Sequence, residues 1–304
     1  MRDRSHKTIS ISQMSCFGCR LRWFWSYVRG LRRDVAPVAL SLGGNVHQAL
    51  DQYYGSGQLA DPVDTFLHLA NAEIEALSPQ WEDQRAALEE ARDLGVAMLT
   101  GYVEEHHEED LRRWEVLATE HSLERRLPVY GSPTQAMSLC WLAGRMDLLV
   151  RDRQLGRVFV VEHKTFSRFS PWWLDLDQQM TALTWLAEEL EVLEPGETIE
   201  GVIWNGLRKQ KPSSRVRNPL FERHHCYRNR QQIEAFLSRA YLTYRDMMAS
   251  RAAYPEPDVR GCGGCEFMSP CIALQRGEDW QLILSTQFTS RAEREAEEVD
   301  GDDS

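Results

Sequence analysis

Asp147 and the triplet Glu162-His163-Lys164 carry the clearest chemical signal in this sequence. Asp147 closes the run Gly144-Arg145-Met146-Asp147, and the triplet follows the apolar run Val158 to Val161. Side chains alternate along a strand, so Glu162 and Lys164 share a face. If the two segments pair as a hairpin, Asp147 comes beside Glu162. Two carboxylates held together repel unless a cation neutralises them, and hard oxygen donors of this kind suit Mg²⁺ or Mn²⁺. A lysine two residues from such a ligand can orient or deprotonate an attacking water and offset the charge of a phosphorane. Together these are the parts of metal-assisted phosphodiester hydrolysis. The competing reading is a surface salt bridge between Glu162 and Lys164. The apolar run ahead of Glu162 argues for the end of a buried strand instead, where an unpaired acid is costly.

The cysteines are the second signal. There are seven, at positions 16, 19, 140, 226, 262, 265 and 271. An odd count in a chain that looks cytosolic argues against a disulfide framework and for metal ligation or burial. Cys262-x₂-Cys265-x₅-Cys271 supplies three thiolates within ten residues, and Gly261, Gly263 and Gly264 free the backbone to wrap a metal. A fourth ligand must come from elsewhere in the chain. Cys16-x₂-Cys19 with Cys262-x₂-Cys265 is a Cys₄ zinc pattern that leaves Cys271 out. Free buried thiols are the remaining alternative. Cys140 and Cys226 fall on predicted strands and read as core residues.

The elements that must position these groups follow from periodicity. Residues 19–31, CRLRWFWSYVRGL, suit a basic aromatic helix ending near Gly30. Residues 44–54 place Val46, Leu50 and Tyr53/Tyr54 at helical spacing, and the pattern stays helical from Asp64 to Asp110 with a break at Ser78-Pro79. Strands are predicted near 114–123, 142–152 and 157–165, the last two joined by a short turn into an antiparallel hairpin. A helix over 171–191, a buried strand over 197–209, a basic loop to Pro219, a strand over 220–227 and a helix over 230–251 follow. This order indicates an α/β or α+β chain with a mixed central sheet flanked by helices. The expected divisions are an N-terminal cysteine and helical region (1–113), a core (114–251), a cysteine segment (252–285) and an acidic disordered tail (286–304).

The chain has 304 residues, 27 % of them charged, and a net charge of −11. That balance suits a globular fold with a sizeable core. No run of about 18 apolar residues suggests a membrane span, and the basic, polar start lacks the apolar stretch of a secretory signal. The expected location is the cytoplasm. An acidic chain argues weakly against nucleic acid, but the charge is uneven. Residues 1–40 hold eight Lys/Arg against two acids, a net of +6, and residues 205–230 hold eight against one, a net of +7. Residues 61–122 hold sixteen acids against four arginines, a net of −12.

Taken together, CRLRWFWSYVRGL (19–31), GNVHQAL (44–50), GRMD (144–147), VEHKT (161–165), QMTALTW (179–185) and CGGCEFMSPC (262–271) resemble the PD-(D/E)XK nuclease superfamily. The likeness is to its RecB-like branch, which includes the iron–sulfur nucleases of CRISPR adaptation and bacterial recombination and many phage exonucleases. The resemblance implies a restriction-endonuclease-like core and a metal-dependent DNA exonuclease acting at ends or single-stranded segments, with a helicase or recombination/adaptation partner; the alternative is a non-catalytic or assembly-type DNA-binding module of the same fold with a Cys₄ zinc site. It implies His47, Asp147 and Glu162 as metal ligands, His163 as a ligand through its backbone carbonyl, Lys164 as the catalytic lysine and Gln179 as its helical support. Met146 stands where the superfamily name has proline, and Leu183 where the family often has tyrosine. Glu120 resembles an acidic position of the family. The resemblance also implies a structural [4Fe–4S] cluster on Cys19, Cys262, Cys265 and Cys271, with Zn²⁺ as the alternative. Segments 20–33 and 208–230 would contact phosphates, and Trp23, Phe24 or Trp25 would stack on bases or pack in the core.

Overall fold

The computed structural model describes residues 7–35, 37–78, 81–129, 140–213 and 218–291. Contacts divide the chain into two units, one of residues 1–8 and 38–239 and one of residues 9–37 and 240–304. Pro79, Arg215 and Arg217, and the part of the expected disordered tail at 292–304, lie outside the described residues. No described helix is long and apolar enough to cross a membrane.

The first unit is a mixed sheet with helices. Its strands are β1 (Lys7–Ser10), β2 (Trp114–Arg126), β3 (Cys140–Asp152), β4 (Arg157–Phe166), β5 (Ile199–Arg208) and β6 (Phe221–Cys226), ordered β1-β3-β4-β5-β6, with β2 also pairing β3. The β3–β4 hairpin is antiparallel, and its turn is fixed chemically. Asp152 Oδ1 accepts the Gln154 and Leu155 N–H groups, and Gly156 supplies a φ of +62°. Strand β5 runs parallel to β4, which requires a crossover. The connecting segment contains helix α4 (Gln178–Ala187). That helix is shorter than the 171–191 span expected. Pro171–Asp175 forms a separate 3₁₀ turn, and Asp177 caps the true start by accepting from Gln179 N and Met180 N.

Helices α1 (Val38–Gly55), α2 (Pro62–Ala76) and α3 (Glu82–Arg113) precede the sheet. They share one core with it, in which Val46, Leu50 and Tyr54 of α1 meet Leu148, Val150, Phe159 and Val161. The helical region therefore groups with the sheet rather than with the N-terminal cysteines. Helix α5 (Arg230–Ala249) follows β6.

The second unit joins both chain ends. Strand Leu31–Arg33 pairs antiparallel with Phe288–Ser290, which falls within the span expected to be tail. Leu21 N donates to Tyr254 O at 2.8 Å. The predicted basic helix is a turn of α-helix (Arg20–Trp23) that runs into a π-helical segment (Phe24–Val28). Its aromatics are not a free stacking surface. Trp25 is only 2 % exposed and packs with Leu21, Phe267, Leu284 and Phe288, with Phe24 against the same cluster. Trp23 meets Phe17 edge to face. Core packing accounts for these rings.

One close approach inside the first unit is testable. A Cβ at Gly95 on α3 would lie 2.0 Å from the buried Phe66 ring of α2. Gly44, on α1, meets nothing within 4 Å. Gly95→Ala should therefore destabilise by about 1–3 kcal/mol through overpacking, although alanine is the better helix former. Gly44→Ala should stabilise by up to about 1 kcal/mol. Denaturant melts of both variants check the contrast.

Candidate active site and the cysteine cavity

The candidate active-site residues gather where the β3–β4 ladder ends. The last paired residues are Leu148 and Val161. One step further, Asp147 Oδ2 accepts the backbone N–H of His163 at 2.7 Å. The same oxygen lies 3.3 Å from His47 Nδ1 on α1. Burial acts to raise the Asp147 carboxyl, but His47, His163 and Lys164 outweigh it and hold it below its usual value. Burial pulls the His47 imidazole down, and Asp147 more than reverses this.

Glu162 is the buried member, 2 % exposed. Its Oε1 accepts from Lys164 Nζ at 2.5 Å and from Gln179 Nε2 at 2.6 Å. Gln179 is thus brought to the site by the capped start of α4. Burial, with Asp147 adding to it, raises the Glu162 carboxyl to about 7 against the pull of Lys164. Lys164 is itself held above its usual value, because Glu162 outweighs the cost of burial. Glu162 Oε2 is buried and has no hydrogen-bond partner among the described residues. A buried carboxylate oxygen without a donor is costly, and a hard cation is the kind of partner that satisfies it. No group of three or more His, Cys, Asp or Glu side chains among the described residues is arranged to hold a metal ion as it stands. At this site both acids already bond to the chain's own donors.

Glu120 pairs with Arg145 at 2.9 Å, and burial together with Asp147 and Asp51 raises its carboxyl. It sits on β2 with a φ of +41°, after the register shift between Val116 and Ala118.

A buried network behind His163 was not visible in the sequence. Asn205 of β5 pairs in register with His163 and donates from Nδ2 to His163 Nδ1 at 2.7 Å and to the Tyr102 hydroxyl at 2.9 Å. Arg223 of β6 donates to Asn205 Oδ1, to Tyr102 and, through two nitrogens, to Asp110. The single Tyr54 proton goes to Asp110 Oδ2 at 2.7 Å, so Tyr102 donates to the Tyr54 oxygen. Tyr54 also stacks on the His163 ring. His163 is therefore neutral, its pKa lowered by burial to about 3. The one signal for this network was a polar Asn205 inside the apolar run VIWNGL.

The network also revises the basic segment 208–230. Arg223 serves Asp110, Arg208 pairs with Glu222 at 2.6 Å, and Arg228 binds Thr181 Oγ1 and the Leu174 and Asp177 carbonyls. These three cations are structural. Lys209 and Lys211 are the other described cations before Glu222.

In the second unit, Cys19, Cys262, Cys265 and Cys271 line one cavity of about 250 Å³ with Trp25, Phe267 and Ile272. Three of the sulfurs accept hydrogen bonds. Glu256 N reaches Cys19 at 3.4 Å, Asp258 N reaches Cys262 at 3.4 Å, and Gln275 Nε2 reaches Cys271 at 3.5 Å. Donors aimed at sulfur are the surroundings that a ligating thiolate needs. Burial raises the Cys265 and Cys271 thiols. Cys16 is buried and does not line the cavity. Cys140 and Cys226 are buried at opposite ends of β3 and β6, as expected.

Comparison with known proteins bears on the whole chain. No curated protein sequence matches it. A solved structure from Eubacterium rectale, a provisionally assigned exonuclease, is similar at 13 % identity and a TM-score of 0.49, covering 86 % of this chain and 87 % of that one. The sequence pattern of the PD-(D/E)XK nuclease superfamily matches residues 8–272. That span takes in β2 through β6, all but the first residue of β1 and all four cavity cysteines, and on its strength the chain belongs to the PD-(D/E)XK nuclease superfamily and is a nuclease.

Proposed function

We propose that this nuclease is a metal-dependent DNA exonuclease of the RecB-like type that carries a structural [4Fe–4S] cluster. The observation that carries the catalytic reading is the state of Glu162. One of its oxygens is bound by Lys164 and Gln179, and the other is buried without a donor among the described residues. Asp147, Glu162 and His47 would hold Mg²⁺ or Mn²⁺, with the His163 carbonyl. When bound, the ion supplies Lewis-acid polarisation of the scissile phosphate and a lower pKa for the attacking water. Lys164 orients that water and faces the charge that develops on phosphorus. Gln179 fixes the Glu162 carboxylate so that Lys164 stays poised. The likeness to the RecB-like branch makes a helicase or recombination partner the expected source of any unwinding.

The cavity supports the cluster over zinc. Its four thiols share one space, and three of their sulfurs accept hydrogen bonds from N–H donors. A zinc site on Cys16 would also leave Cys271 out and draw on a sulfur that does not line the cavity. Retained free thiols and a cluster both fit the reducing cytoplasm.

Asp147→Ala and Lys164→Ala should each lower Mn²⁺-dependent degradation of linear DNA by at least about 100-fold while leaving the circular-dichroism spectrum that of a folded protein. Undiminished cleavage by both variants would sink the catalytic reading. Substrates labelled at the 5′ or the 3′ end distinguish end-directed from internal cutting, and internal products would rule out the exonuclease.

Protein purified without oxygen should be brown, with broad visible absorption and about four irons per chain. Cys271→Ala should remove the colour and Cys16→Ala should keep it. Colourless protein with one zinc, lost on Cys16→Ala and kept on Cys271→Ala, would replace the cluster with the zinc site.

A further inference from the structure

Trp172 and Trp173 are 64 % and 52 % exposed, and Leu176 beside them is also exposed. Large apolar groups displayed together on a surface mark a place where something binds. Their exposure is built in, because the backbone that carries them is held on both sides. Upstream, Phe169 stacks on Trp204 of β5 at 3.9 Å between centroids. Downstream, Leu174 is buried, Arg228 clamps the Leu174 and Asp177 carbonyls, and Asp177 caps α4. The two indoles stand at 87° to each other, 5.9 Å apart, on a fixed 3₁₀ turn.

This turn lies on the stretch of chain between Lys164 and Gln179, whose side chains meet at Glu162 Oε1. Three cations lie on the chain that leads into it or on the strand end bonded to that chain. Arg168 is exposed, and Lys209, whose N–H bonds to the Phe166 carbonyl, is followed by the exposed Lys211. Lys209 has no carboxylate partner among the described residues. The acid on the exposed part of the turn is Asp175, since Asp177 is spent as a cap. The adjoining chain is thus positive and the display aromatic, the combination that holds single-stranded nucleic acid through phosphate contacts and base stacking. A protein partner could use the indoles but has no need of the cations.

We propose that Trp172 and Trp173 form a stacking platform for unpaired nucleotides beside the Glu162–Lys164 site, with Arg168, Lys209 and Lys211 on the phosphates. This rests on the nuclease reading above, and it moves the base-stacking role from Trp23, Phe24 and Trp25 to residues that are free to stack.

The test is anisotropy of a fluorescein-labelled oligothymidylate with the full-length protein in EDTA, across a salt series. Trp172→Ala/Trp173→Ala should weaken binding by about 10-fold or more and leave the slope of log K against log salt unchanged, because stacking releases no counterions. Trp172→Phe/Trp173→Phe should recover most of the affinity. Lys209→Ala/Lys211→Ala should instead make the slope shallower. A double alanine variant that binds within about twofold of the unaltered protein, or whose loss comes with a changed slope, overturns the platform. If the unaltered protein still degrades DNA with Mn²⁺ in that case, the nuclease reading stands without it. If the unaltered protein neither binds nor degrades DNA, both readings fall.

Discussion

Everything in the first unit answers to one cost, that of burying the Glu162 carboxylate at the end of an apolar strand. A charge removed from water must find partners within hydrogen-bond reach. Lys164 supplies one from the same strand, and Gln179 supplies another from the first turn of α4. That second partner depends on the Asp177 cap, and the backbone around the cap is clamped by Arg228. Strand, crossover helix and β6 are thus tied into one arrangement by the demands of one oxygen. The other oxygen is buried and has no donor among the described residues.

A second charge is buried behind the first. Asp110, 1 % exposed, faces Arg223 through two nitrogens, and Tyr54, Tyr102 and Asn205 take up the remaining donors and acceptors. Every proton in this set has a direction. Arg223 and Asn205 give to Tyr102, Tyr102 gives to Tyr54, and Tyr54 gives to Asp110. Satisfied networks of this sort rigidify and specify a core, whereas a half-satisfied one is worse than an apolar core. Here the set links α1, α3, β5 and β6 to the His163 ring. It keeps that ring neutral and still, and His163 is the residue whose N–H anchors Asp147.

What could be read from the sequence followed the chain, and what could not lay across it. The β3–β4 hairpin was legible because a short connection joins two strands of the right period, and the Glu162/Lys164 face followed from alternation alone. His47, Gln179 and Cys19 entered through family likeness, because nothing local to them announces a ligand or a support. The pairing of Asp110 with Arg223 was hidden by composition. Both residues sat inside charge runs, the basic one read as a phosphate contact, and only the fold reveals that one acid and one arginine from opposite runs pair with each other. The same blindness applied to the aromatics. Trp25 and Trp172 are alike in sequence, each in a Trp-rich stretch, yet one is a core side chain and the other stands in solvent.

The composition of the second unit has a consequence for how the protein comes into being. Its small core needs Leu21 and Trp25 from one end of the chain and Phe267, Leu284 and Phe288 from the other. The ribosome makes the first pair long before the last three. The first unit, by contrast, has its whole sheet in hand once β6 has been synthesised. Throughout that interval Cys19 waits as a lone thiol, with its three cavity companions still unmade. A chain cut short before residue 262 would therefore hold all six strands of the sheet and the Glu162–Lys164 pair, and no cysteine cavity.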